Sequence, residues 1–161
     1  AKMSQRFSLI IGLLIIVIAS AFFWWRSQSE QQINRQVDLF IESIEYRKLS
    51  LDSKEDRHVS YRELFAPVVE VSTPAPGPTG KFSLIELIEQ IDQLQSFISY
   101  LEISEESRRI ILDGDSAQVH ITGNFAAASG PNTRFDLNGT MFIILVRDDD
   151  WRIEAITLEE G

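Results

Sequence analysis

Acid–base chemistry needs a titratable group held in an apolar pocket, so that its pKa moves toward the working pH. This chain has only two histidines and no cysteine. His120 sits in the alternating run Gln118-Val119-His120-Ile121-Thr122. It shares a strand face with Gln118 and Thr122, opposite Val119 and Ile121, which are the better core candidates. A solvated or hydrogen-bonded surface histidine is the plain reading. His58 lies in an amphipathic helical stretch and reads the same way. Asp136, between Phe135 and Leu137, also points away from the core side. Asp148, Asp149 and Asp150 have the composition of a calcium site, but three consecutive acids in a tight turn are usually solvated. Tyr46, Tyr61 and Trp151 are suited to lining a pocket, yet aromatics in such positions are more often core. The sequence carries neither a phosphate-binding glycine loop nor a Gly-x-Ser-x-Gly nucleophile motif. The residues therefore imply no catalytic set, no cofactor and no metal.

The whole-chain balance narrows the partners. Of 161 residues, 44% are hydrophobic and 24% charged, an ordinary globular mixture with a formal net charge of −9. No basic patch is available to neutralise phosphates, so nucleic acid is excluded as a partner. An acidic soluble face gains nothing from anionic lipid, whereas a basic protein surface is compatible with it. Absence of cysteine removes disulfides, thiolate nucleophiles and Cys-ligated metals, and leaves the compartment open.

The strongest signal is FSLIIGLLIIVIASAFFWW, Phe7 to Trp25, without a charge. As a helix it spans about 28 Å, close to the hydrocarbon thickness of a bilayer. Phe7, Leu13 and Ile16 lie along it, and Trp24 and Trp25 mark an interfacial end. Ala19-Ser20-Ala21 resembles a signal-peptide cleavage site, but the apolar run continues past it through Phe22 and Phe23. Residues 7–25 thus read as a retained anchor in the lipid bilayer. Lys2 and Arg6 flank one end, Arg26 and Arg35 the other. The charge bias favours residues 1–6 as a short cytoplasmic tail, with residues 26–161 periplasmic or extracytoplasmic.

The rest must build the domain that positions the candidate residues. Ile33, Val37, Phe40, Ile41 and Ile44 form one helical stripe. No Gly or Pro separates them from the anchor, so a single long helix is compatible with both. A second helix follows, capped by Asp52 or Ser53, with Tyr61, Leu64 and Phe65 as its contacts and Pro67 as its stop. Ser72–Gly80 is a Pro/Gly surface loop. Ser83 and Glu86 form a capping box for a third helix, with a buried stripe of Leu84, Leu87, Ile88, Ile91, Leu94 and Ile98. From Tyr100 the period becomes two, with turns at Asp113-Gly114, Ser129–Asn132 and Asp148–Asp150. The expectation is an α+β domain: an N-terminal membrane helix, then three helices packed on a curved antiparallel sheet of about four strands.

GDSAQVHITGNF (Gly114–Phe125) and GTMFIILVRDDDWRIEAI (Gly139–Ile156) resemble the nuclear transport factor 2-like superfamily, whose cone-shaped fold is shared with ketosteroid isomerases and scytalone dehydratase. The triple-Asp turn departs from the more usual Asp-Gly. The resemblance implies a pocket inside the cone, lined in the enzymes by tuned carboxylate, histidine or tyrosine groups. A membrane-anchored version also resembles the bitopic subunits of type IV secretion channels. The fold alone does not assign a function.

In GTMFIILVR, Met141, Ile143 and Leu145 take one face, and Phe142, Ile144 and Val146 the other. Ile156 and Leu158 differ in parity from Trp151 and Ile153, which makes both faces of the hairpin apolar. The expectation is a non-catalytic accessory or assembly subunit. Its partner face would be Phe142, Ile144, Val146, Ile156 and Leu158, docking another membrane-complex subunit or a second copy. The alternatives are a membrane-tethered pocket enzyme or small-ligand binder, and a secretion-channel subunit.

Overall fold

The structure, a computed structural model, describes residues 2–47, 54–75 and 77–161, with the side chains of residues 2–7, 46–47, 54–57 and 59 left aside. The chain divides into two compact units, Ala1–Gln32 and Ile33–Gly161.

The first unit is the N-terminal part of α1, a helix that runs Lys2–Ile44. Nothing between the anchor stretch and Ile44 breaks the i→i−4 ladder, so the anchor and the first domain helix are one element, and the described residues form three helices where an anchor helix followed by three more was expected. Its apolar side chains are exposed all round, Leu13 at 68%, Ile16 at 65% and Trp24 at 64%. A core helix of a soluble protein would bury one face. Trp25 is half-buried, its ring 6.1 Å from that of Phe22. Phe7 falls outside the described side chains. The helix is long and apolar enough to cross a membrane, and its apolar window is not buried within the chain.

The second unit contains the rest of α1, α2 (Lys54–Leu64), α3 (Leu84–Phe97) and a seven-stranded sheet. Its strands are β1 (Tyr46–Arg47), β2 (Phe65–Ser72), β3 (Thr79–Ser83), β4 (Tyr100–Asp113), β5 (Ser116–Ala128), β6 (Arg134–Arg147) and β7 (Trp151–Glu160). They lie in the order β1-β4-β5-β6-β7-β2-β3. The four expected strands are the β4–β7 meander. Of the three additional ones, β1 is a two-residue pairing with β4 directly after α1, and β2 and β3 arise where Pro67 reads as a helix stop and the Pro/Gly stretch as a free loop. Pro67 instead sits inside β2, at a register irregularity between Phe65 and Glu70, where an absent N–H is tolerated. The Pro/Gly stretch folds β2 back onto β3, and β2 runs parallel to β7.

The proposed caps Asp52 and Ser53 lie outside the described residues. Ser83 caps α3 as expected, with Glu86 N–H bonded to its hydroxyl and its own N–H to the Glu86 carboxylate. The buried stripe of α3 drifts from the expected one. Leu94 is 45% exposed, and Gln95 takes the interior position. Turns of 3.6 residues from Leu84 reach positions near 88, 91 and 95, so 94 falls off the face.

All three helices bury their apolar stripes on one face of the sheet. Ile33 and Val37, Tyr61 and Leu64, and Leu87 and Ile88 join Val119, Ile121, Ile143, Leu145 and Ile153 in a single core. Two glycines bring neighbouring backbones close together on that face. Gly123 and Gly139 are directly paired on β5 and β6. A Cβ on Gly123 would stand 2.2 Å from Ser104 O, and one on Gly139 2.0 Å from Glu159 O. The backbones on either side close in because nothing projects between them. A register irregularity in β4 between Glu105 and Ser107 lies opposite Gly123, the kind of place where a strand twists more strongly.

Candidate functional site

The sheet offers an enclosed face under the helices and an open face opposite. The enclosed face is lined by apolar side chains. Tyr61, Leu64, Val119, Ile121, Ile143, Leu145 and Ile153 are fully buried. Tyr61 Oη donates to Ser43 O at 3.0 Å, so the phenol serves the C-terminal end of α1. Among the described residues of this unit the buried polar side chains are Ser43 and Gln95, and neither titrates. Trp151 is buried as expected, and its indole Nε1 has no partner among the described residues. Tyr46 lies outside the described side chains. Gln95 is 5% exposed, with both Oε1 and Nε2 enclosed and unpartnered among the described residues. Sequence reading missed it, because a glutamine between Leu94 and Ser96 carries no signal until the helical phase is known.

His58 is not a lone surface histidine. Its Nε2 lies 2.7 Å from Asp92 Oδ2, with both side chains about three-quarters buried or more (26% and 19% exposed). The couple joins α2 to α3. Thirty-four residues separate the partners, a distance at which no local pattern links them. Asp136 points away from the core and is bound by Arg134 at 2.7 Å, which raises the Arg134 pKa. Asp148, Asp149 and Asp150 form the exposed β6–β7 turn. No group of three His, Cys, Asp or Glu residues placed to hold a metal occurs among the described residues.

The open face is set by the ladder registers. Ile111, Gln118, Ile144 and Ala155 form one cross-strand row, and Arg109, His120, Phe142 and Thr157 the next. His120 is on this face, as its parity implies, and is half-buried. Its ring meets Phe142 edge-on at 4.7 Å, and its Nε2 is enclosed without a partner among the described residues. Phe142, Ile144 and Val146 are half-buried by their strand neighbours, and Ile111 is 39% exposed.

Two residues leave the expected partner face. Ile156 pairs with Ile143 and Leu158 with Met141, both on the core side. Ile156 is 9% exposed within the core, and Leu158 packs against it. The reason is a register shift between Ile144 and Leu145, where Ala155 and Ile153 are the successive partners and Glu154 is the extra residue. One inserted residue flips parity, so Trp151 and Ile153 before it share a face with Ile156 and Leu158 after it. The β6 strand is apolar on both sides; β7 is not.

Both sheet edges are guarded. Beyond its short contact with β1, edge strand β4 carries Glu102, Glu105, Glu106, Arg108 and Arg109 and the bulge. Arg108 is held by Glu105 and Asp38, each at 2.7 Å. Burial opposes its charge, but these carboxylates outweigh it and raise the pKa above the usual arginine value. The opposite edge, β3, is five residues long and contains Gly80 and Lys81. Charges, bulges and brevity are the means by which edges avoid pairing with other strands.

No protein-family model matches the sequence, and no curated protein matches it. Solved structures do. A protein assigned as a dehydratase of the nuclear transport factor 2-like family, from Streptomyces avermitilis, superposes with a TM-score of 0.66 at 15% identity, covering 84% of this chain and 98% of that one. A nuclear transport factor 2-like superfamily protein from Salmonella enterica serovar Typhimurium gives 0.66 at 15% identity, covering 84% and 93%. The Kfla4162 protein from Kribbella flavida gives 0.70 at 12% identity, with 84% and 93% covered. Such identities establish fold alone: the chain carries a nuclear transport factor 2-like α+β fold with a long apolar N-terminal helix.

Proposed function

We propose that this chain is a single-pass membrane protein whose nuclear transport factor 2-like domain works by protein–protein contact through the open sheet face, as a non-catalytic subunit of a membrane assembly. The observation that carries the reading is the outward row Phe142, Ile144 and Val146 on a central strand, on the face opposite the three helices. Two further features support it. The enclosed face is packed without a buried carboxylate or histidine among the described residues, and the guarded edges leave the face as the route to a partner. The proposed partner is another protein chain in the same bilayer, not nucleic acid, and needs no cofactor. The charge bias of the flanks supports a cytoplasmic residue 1–6 side and an extracytoplasmic domain. The experiment is co-purification of the full chain from mild detergent. Wild type should bring a stoichiometric partner, and Ile144→Asp should lose it while the domain stays folded. Retention by a folded Ile144→Asp chain sinks the reading.

A second reading has one specific observation in its favour. The enclosed, unpartnered Gln95 amide offers a donor and an acceptor to a small polar ligand inside the fold. Gln95→Leu separates the two. With no ligand role, removing an unsatisfied buried amide should stabilise the domain by about 1–3 kcal/mol and leave function intact. Loss of function in a stable Gln95→Leu chain favours the ligand binder.

A further inference from the structure

We infer that the outer side of α3 is a second contact surface, built for a basic, apolar-anchored helix of another protein. It is separate from the contact proposed for the open sheet face and goes beyond it. Among the described residues of the second unit, the large apolar side chains left exposed are Val68, Ile85, Leu94, Phe97, Ile111 and Phe135. Three of them belong to α3, and its Ile85 and Phe97 are the most exposed of the six, at 73% and 75%. Val68 and Phe135 flank the two ends of the helix. Val68 pairs with the cap residue Ser83, and Phe135 follows the turn whose Ser129 hydroxyl donates to Phe97 O. On its other side α3 buries Leu87, Ile88 and Gln95, so its core-facing stripe is complete without these residues. Single apolar side chains scattered over a surface are ordinary, whereas a set gathered along one helix marks a contact.

Spacing and charge define the occupant. Ile85 and Phe97 stand about 18 Å apart along the helix axis and about 120° apart around it. Glu86, Glu89, Gln93 and Ser96 lie between them on the exposed side. The helix contains no Lys or Arg. The Glu86 carboxylate takes the Ser83 N–H, and Glu89 has no ion pair among the described residues. Nearby cations are already matched. Lys81, just before the helix, stands opposite Glu70, and Arg134, beside Phe135, is held by Asp136. These charges exclude the other occupants. A second copy laid on the same surface would double the carboxylates and supply no cation. A helix that lies on a bilayer carries lysine or arginine on its polar side, and nucleic acid needs the same charge. What fits is a helix packed alongside α3, its Lys or Arg facing Glu86 and Glu89, its apolar side chains meeting Ile85 at one end and Leu94 and Phe97 at the other. The net charge of −9 favours the same encounter at long range.

The test uses the full chain in mild detergent and a synthetic helical peptide of about eighteen residues, with leucines near both ends of one face and lysines between them. A control peptide carries glutamate in place of lysine. Binding is read by fluorescence anisotropy at low and high salt, and circular dichroism checks that each variant is folded. Wild type should bind the lysine peptide and not the glutamate one. Ile85→Ser and Phe97→Ser should each weaken binding about tenfold or more, and Glu89→Lys should do the same with a flatter salt dependence. Glu106→Lys on edge strand β4, the same charge change away from the surface, should bind as wild type does, and so should Ile144→Asp on the open face. A wild type that does not bind the lysine peptide overturns the inference. So does undiminished binding by Ile85→Ser and Phe97→Ser, or a loss in Glu106→Lys as large as in Glu89→Lys, which would mean charge attraction without a site. Loss of binding in a folded Ile144→Asp chain would move the peptide to the open face and overturn it too. If wild type instead self-associates and Phe97→Ser abolishes that association, the surface takes a second copy and the basic partner falls.

Discussion

The His58 imidazole of α2 touches the Asp92 carboxylate of α3 through a 2.7 Å contact that no local sequence pattern announces. A histidine held by a carboxylate is the raw material of acid–base catalysis. Here it joins two helices, and both its groups lie outside the buried core. It therefore serves as a helix clamp. Asp92→Ala should lower stability by about 1–2 kcal/mol, read as a shift in denaturation midpoint, and His58→Ala should do the same without an additive double effect. Cellular function should persist in both. Loss of function in a folded, normally abundant His58→Ala chain would argue for an enzyme, as would the same loss in His120→Ala.

The Gly123–Gly139 pair predicts a sharp contrast with ordinary surface glycines. Gly139→Ala places a Cβ 2.0 Å from the Glu159 carbonyl oxygen, a backbone atom that cannot swing aside. The strands must part locally, costing about 1–3 kcal/mol. Thermal unfolding of the full chain in detergent measures it. An unchanged midpoint would show that the close approach of β6 and β7 does not depend on the missing side chain.

Topology is open to direct labelling, because the chain has no cysteine of its own. Single cysteines at Ser4 and Glu160 report the two sides. An impermeant maleimide applied to cells with an opened outer barrier should label Glu160→Cys and spare Ser4→Cys until the membrane is lysed. The reverse pattern refutes an extracytoplasmic domain.

Periodicity made much of this fold legible, and its failures have physical causes. The stripe Ile33, Val37, Phe40 and Ile41, the capping box of Ser83 and Glu86, and the alternation Val119, Ile121 are local patterns, and each appears in place. The β2–β3 hairpin was hidden because Pro67 and the Pro/Gly stretch are stop signals in isolation. Only parallel pairing of β2 with β7, far apart in the chain, makes a strand of them. Leu94 and Gln95 differ by one residue of helical phase, which fourteen residues of α3 fix only when the sheet is in place. Parity places His120 on the open face, but only the cross-strand pairing shows that its ring meets Phe142.

Parity also governs the last prediction, which turns on Glu154. With that residue bulged out of the ladder, Ile143 and Ile156 face the core and Ile144 faces outward. Ile143 is fully buried and Ile156 is 9% exposed. A carboxylate at either would be an unpaired charge in an apolar interior, and the domain should unfold or lose several kcal/mol. Ile144→Asp meets strand neighbours and solvent, so the domain should stay folded and lose about 1 kcal/mol or less. The full chain in detergent, followed by thermal unfolding and near-UV circular dichroism, ranks the three. If Ile144→Asp collapses like Ile143→Asp, the face is internal and the interface reading fails. If Ile156→Asp is instead tolerated like Ile144→Asp, the bulge is misplaced and Ile156 returns to the outer face. The order expected from the register is Ile143 and Ile156 intolerant and Ile144 tolerant, with only Ile144→Asp changing what the folded protein binds.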